Sequence, residues 1–288
     1  MHIYADNYCT TSLHCRTYRQ NFRIPVPHPM GLPLPQYCPK TNVHRFPSER
    51  AFVAAVFKRI HDSFDANFAV DTAISATDGD FYIYGGTLRR VLLNDPRDGD
   101  LDIAIADGDT RIYDAYSRLG LGFARNSNNH HRYRWNKLQI DICSPCEFFS
   151  GYDGIDSMLQ NVDLKLNSIA LHVGSKRLID PFGLVTSQFM HDVSVNWALW
   201  DKTEGDQLSL LVVRLVRILY EFPDLSVSDF DRNKLISNIL PSIQQARWDR
   251  MIGRFPAGKE TFLKIFLATI DLRKAHAPAH EEASTASQ

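Results

Sequence analysis

The sequence has no long hydrophobic run and few cysteines. No apolar stretch approaches 18 residues and no apolar segment leads the chain, so we expect neither a membrane-spanning helix nor a secretory signal. The five cysteines are an odd number, which argues against a disulfide framework. Together these absences predict a reduced, soluble, cytoplasmic protein without a membrane partner.

The chain also lacks an excess of charge of one sign. Its net charge is −1 and its pI is about 6.8, whereas a uniformly basic nucleic-acid-binding domain has a pI above about 9. Any contact with nucleic acid must therefore come from a local basic patch. Hydrophobic residues make up 44% of the 288 residues, enough to bury a sizeable core in two domains or in one domain with an appendage.

Composition divides the chain into four parts. Residues 1–47 are proline-rich, so we expect an extended arm, because proline fits neither a regular helix nor a central strand. Residues 48–187 are predicted to form an α/β domain that begins with an amphipathic helix capped by Ser48. Residues 188–274 are predicted to be helical. Residues 275–288 are rich in Ala, His, Glu and Ser and are predicted to be disordered.

A glycine pair and two aspartates follow one another closely. Gly85 and Gly86 come directly after the aromatic and aliphatic run 81–84, which is typical of a buried strand. Glycine lets the backbone turn tightly where a Cβ would block a phosphate, and the N–H groups of a following helix would face the anion. In the next alternating run, Asp100 and Asp102 lie on the face opposite the aliphatic residues.

A third acidic residue, Asp141, lies in a second alternating strand pattern at 138–142. Three carboxylates on adjacent strands could hold two Mg²⁺ ions, which clamp the attacking and leaving oxygens of an in-line phosphoryl displacement. The pattern therefore indicates nucleotidyl transfer, with Asp100, Asp102 and Asp141 as catalytic metal ligands. Asp98 also forms an Asp-x-Asp with Asp100 and is the alternative ligand, but the apolar alternation begins after Asp100 and favours the first choice.

These motifs resemble those of a known family. Residues 85–90 and 100–102 are similar to the head-domain signature of the DNA polymerase beta superfamily, in the branch with bacterial poly(A) polymerases and class II CCA-adding tRNA nucleotidyltransferases. Two later segments, 163–171 and 178–183, resemble that branch's Asp-Phe-Thr-Ile-Asn-Ala-Leu-Ala segment and its Ile-Asp-Pro-Phe-Gly turn. The resemblance implies an α/β (α+β) head with a small mixed sheet and flanking helices, followed by a helical, neck-like C-terminal part.

The resemblance also implies an NTP substrate and assigns residues to it. The residues implied to bind the nucleotide are Gly85, Gly86, Thr87, Arg89, Asp163 and Asn167. Two departures from the family pattern stand out. Asn161 and Val162 replace the two arginines that usually precede the aspartate of the second signature, which removes positive charge from the nucleotide site, and Arg90 stands where many members have an acid.

The base-selecting pattern of the family's neck, Glu-Asp-x-x-Arg, is expected near residues 205–209 and is absent there. Arg214 and Arg217 lie on one face of a predicted helix and resemble the neck's arginine-bearing helix only loosely. Apolar residues surround that helix almost completely, so its default interpretation is a core helix, and the sequence does not identify the base.

Residues 126–137 interleave cations with aromatic residues. Arg132, Arg134 and Lys137 could contact phosphates and Trp135 could stack on a base, whereas the alternative interpretation is an ordinary polar hairpin. The acceptor that the resemblance favours is an RNA 3′ end, tRNA-like or not.

Two alternative functions stay open. Only about 55 residues after Phe222 are expected to be ordered, too few for a full tRNA-measuring apparatus, so a protein or small-molecule hydroxyl is the leading alternative acceptor. A non-catalytic RNA-binding or regulatory module that kept the fold is the second, and Asn161 and Val162 support it. Its weakness is that three converging acids repel one another unless a metal or a basic partner compensates them.

A zinc site is a further hypothesis. Cys143 and Cys146 have ligand-like spacing. The spacing of the other candidates is irregular, so free buried thiols are the favoured interpretation. The other candidate ligands are Cys9, His14, Cys15 and Cys38.

Overall fold

The computed structural model describes residues 46–97, 99–125, 130–148, 154–187, 193–201, 203, 205–239, 249, 252–253 and 255–270. The predicted tail, the arm up to residue 45 and the alternative ligand Asp98 lie outside these residues. All described elements belong to the compact unit formed by residues 38–288. None of the described helices is both long and apolar enough to cross a membrane.

A seven-stranded mixed sheet carries the candidate site. Its strands in chain order are β1 (Tyr82–Tyr84), β2 (Leu101–Ala104), β3 (Gly122–Arg125), β4 (His131–Trp135), β5 (Leu138–Cys143), β6 (Ala170–His172) and β7 (Leu178–Ile179). Across the sheet the order is β3-β4-β5-β2-β1-β6-β7. Strands β2 and β5 are parallel, and the other neighbouring pairs are antiparallel. The predicted α/β fold with a mixed sheet is therefore confirmed.

Helices flank the sheet and make up the regular structure of the C-terminal part. In chain order they are α1 (Glu49–Asp62), α2 (Phe64–Thr77), α3 (Gly86–Leu92), α4 (Arg111–Arg118), α5 (Pro145–Phe148), α6 (Gly154–Leu159), α7 (Trp197–Trp200), α8 (Gly205–Glu221), α9 (Asp229–Lys234) and α10 (Gly258–Ile270). Among the described residues, no strand of the sheet follows β7. This agrees with the predicted helical C-terminal part.

Local sequence explains the first helix. Ser48 is its N-cap, and the Ser48 hydroxyl accepts a hydrogen bond of 3.2 Å from the N–H of Ala51. Such a cap contributes about 1 kcal/mol. Phe52, Val56 and Ile60 are spaced four residues apart and are buried on one face of the helix. The predicted capped amphipathic helix is confirmed.

The two faces of the sheet have different roles. Leu101, Ile103, Ile140 and Ile142 are 1% exposed or less and belong to the main hydrophobic core. On the opposite face, side chains of the sheet and of α6 form a smaller apolar cluster. It contains Tyr84, Ala104 and Cys143 of the strands and Ile155, Met158 and Leu159 of α6. Strand alternation puts Asp102 and Asp141 on this second face, since both flank the core residues in sequence.

Candidate active site

The glycine turn between β1 and α3 packs directly against Asp102. Gly85 has a φ of +63°, a conformation that side chains other than glycine rarely adopt. A Cβ at Gly85 would lie 3.2 Å from Asp102 Oδ2, and one at Gly86 would lie 3.4 Å from the same atom. The Gly86 N–H, which was expected to face a phosphate, donates instead to Asp102 Oδ2 at 3.2 Å. The glycines thus bring the backbone onto a carboxylate.

Strand register places four functional side chains in one row across the sheet. Tyr84 of β1 lies opposite Asp102 of β2, Asp102 lies beside Asp141 of β5, and Asp141 lies opposite Arg132 of β4. The predicted juxtaposition of Asp102 and Asp141 on adjacent strands is therefore present. The row also contains an arginine, which strand alternation alone did not reveal.

Asp100 lies just before β2 and is exposed. Its carboxylate accepts a hydrogen bond of 2.9 Å from Gln139, and its carbonyl oxygen accepts one of 3.0 Å from the hydroxyl of Thr87. Thr87 therefore ties the first turn of α3 to the backbone in front of β2. The two aspartates of the motif have different surroundings, because Asp102 is partly buried and Asp100 is open to solvent.

The carboxyl group of Asp102 has a strongly raised pKa. Burial raises its pKa from 3.8 to about 7. The Gly86 N–H lowers this pKa, the neighbouring Asp141 and Asp100 raise it, and Arg89 lowers it. At neutral pH the Asp102 carboxyl group is therefore poised between its protonated and ionised forms.

Asp141 has a cationic partner within the protein. Arg132 Nε donates to Asp141 Oδ1 and Arg132 Nη2 to Asp141 Oδ2, each at 2.7 Å. The Asp141 side chain is 13% exposed and the Arg132 side chain 31%. This forked geometry is the strong form of a carboxylate–guanidinium pair. The role of Asp141 as a third metal ligand stays a prediction, and Arg132 competes for both of its oxygens.

The three aspartates at this site, Asp100, Asp102 and Asp141, suit a divalent cation in part. In the described part of the chain, no three Asp, Glu, His or Cys side chains come close enough together to form a metal cluster. Mg²⁺, however, is usually held by one or two carboxylates together with water and substrate phosphates. Asp102 and Asp100 offer such carboxylates, and the Gly86 N–H that bonds to Asp102 is a neutral donor. Asp141 would fit the ion only after Arg132 had released it.

Arg89 lies beside the glycine turn, with Nη2 3.8 Å from the position of a Cβ on Gly86. Its Nη1 donates to Asn167 Oδ1. Its Nε is buried and has no hydrogen-bond partner among the described residues. Burial also lowers the pKa of Arg89. A buried N–H without an acceptor is costly, and the role of Arg89 in nucleotide binding stays a prediction.

Asp163 and Asn167 form a pair behind Arg89. Asn167 Nδ2 donates to Asp163 Oδ1 at 2.8 Å, and Arg214 Nη1 of α8 donates to Asp163 Oδ2 at 3.1 Å. The three residues predicted to serve the nucleotide through their side chains, Arg89, Asp163 and Asn167, are thus joined in one network. The link to Arg214 was not predicted, because only the tertiary structure brings α8 to Asp163.

The residues predicted to contact RNA fall into two groups. They lie in the hairpin of β4 and β5, as the polar-hairpin interpretation expects. Arg134 and Lys137 are exposed. Arg132 is paired with Asp141, and the Trp135 ring is stacked on Phe68 with their centroids 4.6 Å apart. RNA contact stays a prediction for all four.

The favoured interpretation of buried thiols holds for one of the two described cysteines. Cys143 is buried on the site's face of the sheet, with its Sγ 3.2 Å from the hydroxyl of Tyr84. Cys146 is free and exposed. The other candidate zinc ligands, Cys9, His14, Cys15 and Cys38, lie outside the described residues.

Comparisons with known proteins identify the fold. No protein-family model and no curated protein matches the chain. A structure of a CCA-adding enzyme with CTP matches at a TM-score of 0.56 and 16% identity, over 77% of this chain and 55% of that one. A CCA-adding enzyme with ATP matches at 0.54 and 17%, over 80% and 57%. The Thermotoga maritima CCA-adding enzyme complexed with tRNA matches at 0.55 and 16%, over 80% and 56%.

The chain spans a little over half the length of these three structures. The match covers most of this chain, at an identity low enough that it establishes the fold and no more. The fold match and the sequence motifs point to the same group of proteins. The chain thus resembles the polymerase-beta-like nucleotidyltransferases, with the fold of the CCA-adding enzymes.

Proposed function

We propose that the protein is a nucleotidyltransferase that transfers a nucleoside monophosphate from an NTP to an acceptor hydroxyl and releases pyrophosphate. The observation that carries the proposal is the glycine turn of Gly85 and Gly86 against Asp102. It puts a tight backbone turn, a carboxylate with a raised pKa and the guanidinium of Arg89 at one place. A phosphate with its metal ion would use all three.

Each side chain has a separate task in this proposal. Arg89 would bind a phosphate oxygen through its guanidinium group, whose Nη2 lies beside the glycine turn. Asp100 and Asp102 would hold Mg²⁺, and the ion would supply the positive charge that acidifies the acceptor hydroxyl and neutralises charge on the phosphates. Thr87 fixes the distance between the glycine turn and Asp100 through its hydrogen bond to the Asp100 carbonyl.

An RNA 3′ end is the first choice of acceptor. The support is the likeness in fold to a CCA-adding enzyme complexed with tRNA, together with exposed Arg134 and Lys137 beside the row of carboxylates. One observation favours a second choice. Trp135 is packed on Phe68 and Arg132 is held by Asp141, so two of the four predicted RNA contacts already have partners within the protein. A protein or small-molecule hydroxyl is therefore the alternative acceptor.

The experiment tests both classes of acceptor, one after the other. The purified protein is incubated with Mg²⁺ and each α-labelled NTP, first with total cellular RNA and then with cellular protein, and Asp102→Asn serves as the inactive control. We expect label on RNA that depends on Asp102. Label on protein alone would select the alternative acceptor. A wild type that labels neither and binds no NTP would point to the non-catalytic module.

A further inference from the structure

Arg214 reaches the candidate nucleotide site from the helical part of the chain. We infer that Arg214 is a positioning residue, which sets the orientation of Arg89 through Asp163 and Asn167. The inference rests on the proposed function for the identity of the ligand, an NTP. It assigns to α8 a role in nucleotide binding that requires no contact between α8 and the nucleotide.

The relay consists of three consecutive polar contacts. Arg214 Nη1 donates to Asp163 Oδ2 at 3.1 Å, Asn167 Nδ2 donates to Asp163 Oδ1 at 2.8 Å, and Arg89 Nη1 donates to Asn167 Oδ1. The two middle residues, Asp163 and Asn167, each use a different atom for each neighbour. A change at Arg214 can therefore be transmitted to Arg89 although the two side chains are not bonded to each other.

The side-chain amide of Asn167 can take part in this relay in one orientation only. An Asn side chain has one donating and one accepting end, and an ionised carboxylate only accepts. Asp163 therefore draws the Nδ2 end of Asn167 toward itself, which leaves Oδ1 for the guanidinium of Arg89. If Asp163 turned away, the amide could reverse and would then present a donor to a donor.

Asp163 needs a counter-charge to keep this orientation. Its side chain is 9% exposed, and its Oδ1 also accepts from the N–H of Leu164 at 2.9 Å. The carbonyl of Asp163 is held by the indole N–H of Trp200 at 2.9 Å and by the N–H of Asn196 at 3.1 Å. The backbone is thus fixed, and Arg214 is the cation that binds the remaining oxygen, Oδ2.

The position of Arg89 matters more in this chain than the family pattern would suggest. Asn161 and Val162 stand where two arginines are expected, and Val162 is buried. Arg89 is therefore left with a larger share of the positive charge near the triphosphate. If Arg214 orients Arg89, then Arg214 also affects the affinity for NTP.

Arg217 provides a matched control on the same helix. It lies three residues after Arg214, its side chain is 59% exposed against 52% for Arg214, and it also forms one ion pair. Its partner is Glu221, with Nε and Oε1 2.7 Å apart. Arg217→Gln removes the same charge from α8 and leaves Asp163 untouched.

The experiment measures the affinity of the full chain for ATP and CTP by calorimetry. We expect Arg214→Gln to weaken binding at least ten-fold, Arg214→Lys to recover most of the loss, and Arg217→Gln to stay within two-fold of wild type. Turnover at saturating NTP should change less than three-fold in Arg214→Gln, since the reacting groups are intact. Wild-type affinity in a folded Arg214→Gln variant would overturn the inference.

A second measurement tests the coupling of Arg214 to Arg89 in the absence of nucleotide. The urea midpoints of Arg214→Gln, Arg89→Gln and the double variant form a cycle. The relay predicts that the two shifts do not add, whereas independent sites would add and would overturn it. A wild type that binds no NTP but shows this coupling would refute the proposed function and leave the relay in place.

Discussion

Asp102 combines burial with two acidic neighbours, and its ionised form therefore destabilises the fold. Its folded-state pKa of about 7 lies above the unfolded value of 3.8. The native state thus binds more protons than the unfolded state between about pH 4 and pH 7, and the contribution of Asp102 to stability falls as the pH rises through this window. Above pH 7 the full cost is present. Such a cost is tolerated where a ligand uses the charge.

Asp102→Asn should remove this dependence on pH. We expect the variant to be as stable as wild type near pH 4 and more stable above pH 7, by about 4 kcal/mol at the conversion of roughly 1.36 kcal/mol per pKa unit. Urea denaturation of both proteins from pH 4 to pH 8 measures the difference. A constant difference across that range would mean that the pKa of Asp102 is unperturbed.

Magnesium should act on the same group. At pH 7.5 the cation binds the ionised carboxylate, so Mg²⁺ at about ten times its Kd should stabilise wild type by about 1.4 kcal/mol. The Asp102→Asn variant should gain much less. Thermal melting with and without Mg²⁺ tests this, and equal stabilisation of both proteins would place the ion elsewhere.

The ion pair of Arg132 and Asp141 gives a further prediction. Arg132→Gln breaks two charge-assisted hydrogen bonds and leaves Asp141 without its counter-charge, which should cost about 1.5–3 kcal/mol of stability. It should also raise the affinity for Mn²⁺, because both oxygens of Asp141 become free. Arg134→Gln, on the same strand and exposed, is the control and should change stability by less than about 0.5 kcal/mol. An unchanged stability in Arg132→Gln would show that the pair does not form.

At the scale of elements, the turn between β1 and α3 decides where the site can form. Gly85→Ala should destabilise the protein by about 1–3 kcal/mol, because the new Cβ occupies a positive-φ conformation and meets Asp102. Gly86→Ala should cost less, since the φ of Gly86 is not positive and its Cβ would be slightly farther from Asp102. Unfolding in urea compares the two variants, and the reverse order would contradict this description of the turn.

Local sequence patterns were sufficient to predict the secondary structure from β1 to β2. Strand, glycine pair, helix and second strand follow one another as the sequence predicts, and alternation correctly put Asp102 and Asp141 on the face away from the core. The partner of Asp141 could not be predicted in the same way. Arg132 lies opposite Asp141 because β4 and β5 pair in one particular register, and alternation defines a face but not a neighbour.

At the scale of the whole molecule, the contact between Arg214 and Asp163 joins residues 51 positions apart. The sequence identified both residues, but their spacing carries no information about which long-range pair forms. Apolar periodicity correctly predicted that α8 is a core helix, with Leu211, Leu215 and Val216 buried. The role that we infer for α8 depends instead on one polar residue of this helix, Arg214.

The near-neutral chain limits how RNA could bind. If RNA is the acceptor, the exposed Arg134 and Lys137 should contribute about two phosphate contacts, so their double Ala variant should reduce the slope of log K against log salt by about 1.4 for a single strand. A fluorescence titration of labelled RNA across a salt series measures the slope. The same slope in wild type and variant would move the RNA away from this hairpin.

The central claim is that the site transfers the nucleotidyl group rather than the terminal phosphate. A reaction run in parallel with α-labelled and γ-labelled NTP separates the two most directly. The proposal predicts that the α-label becomes bound to the acceptor, that the γ-label leaves as pyrophosphate, and that Asp102→Asn abolishes both events. Transfer of the γ-label to the acceptor, or an undiminished reaction in Asp102→Asn, would contradict it.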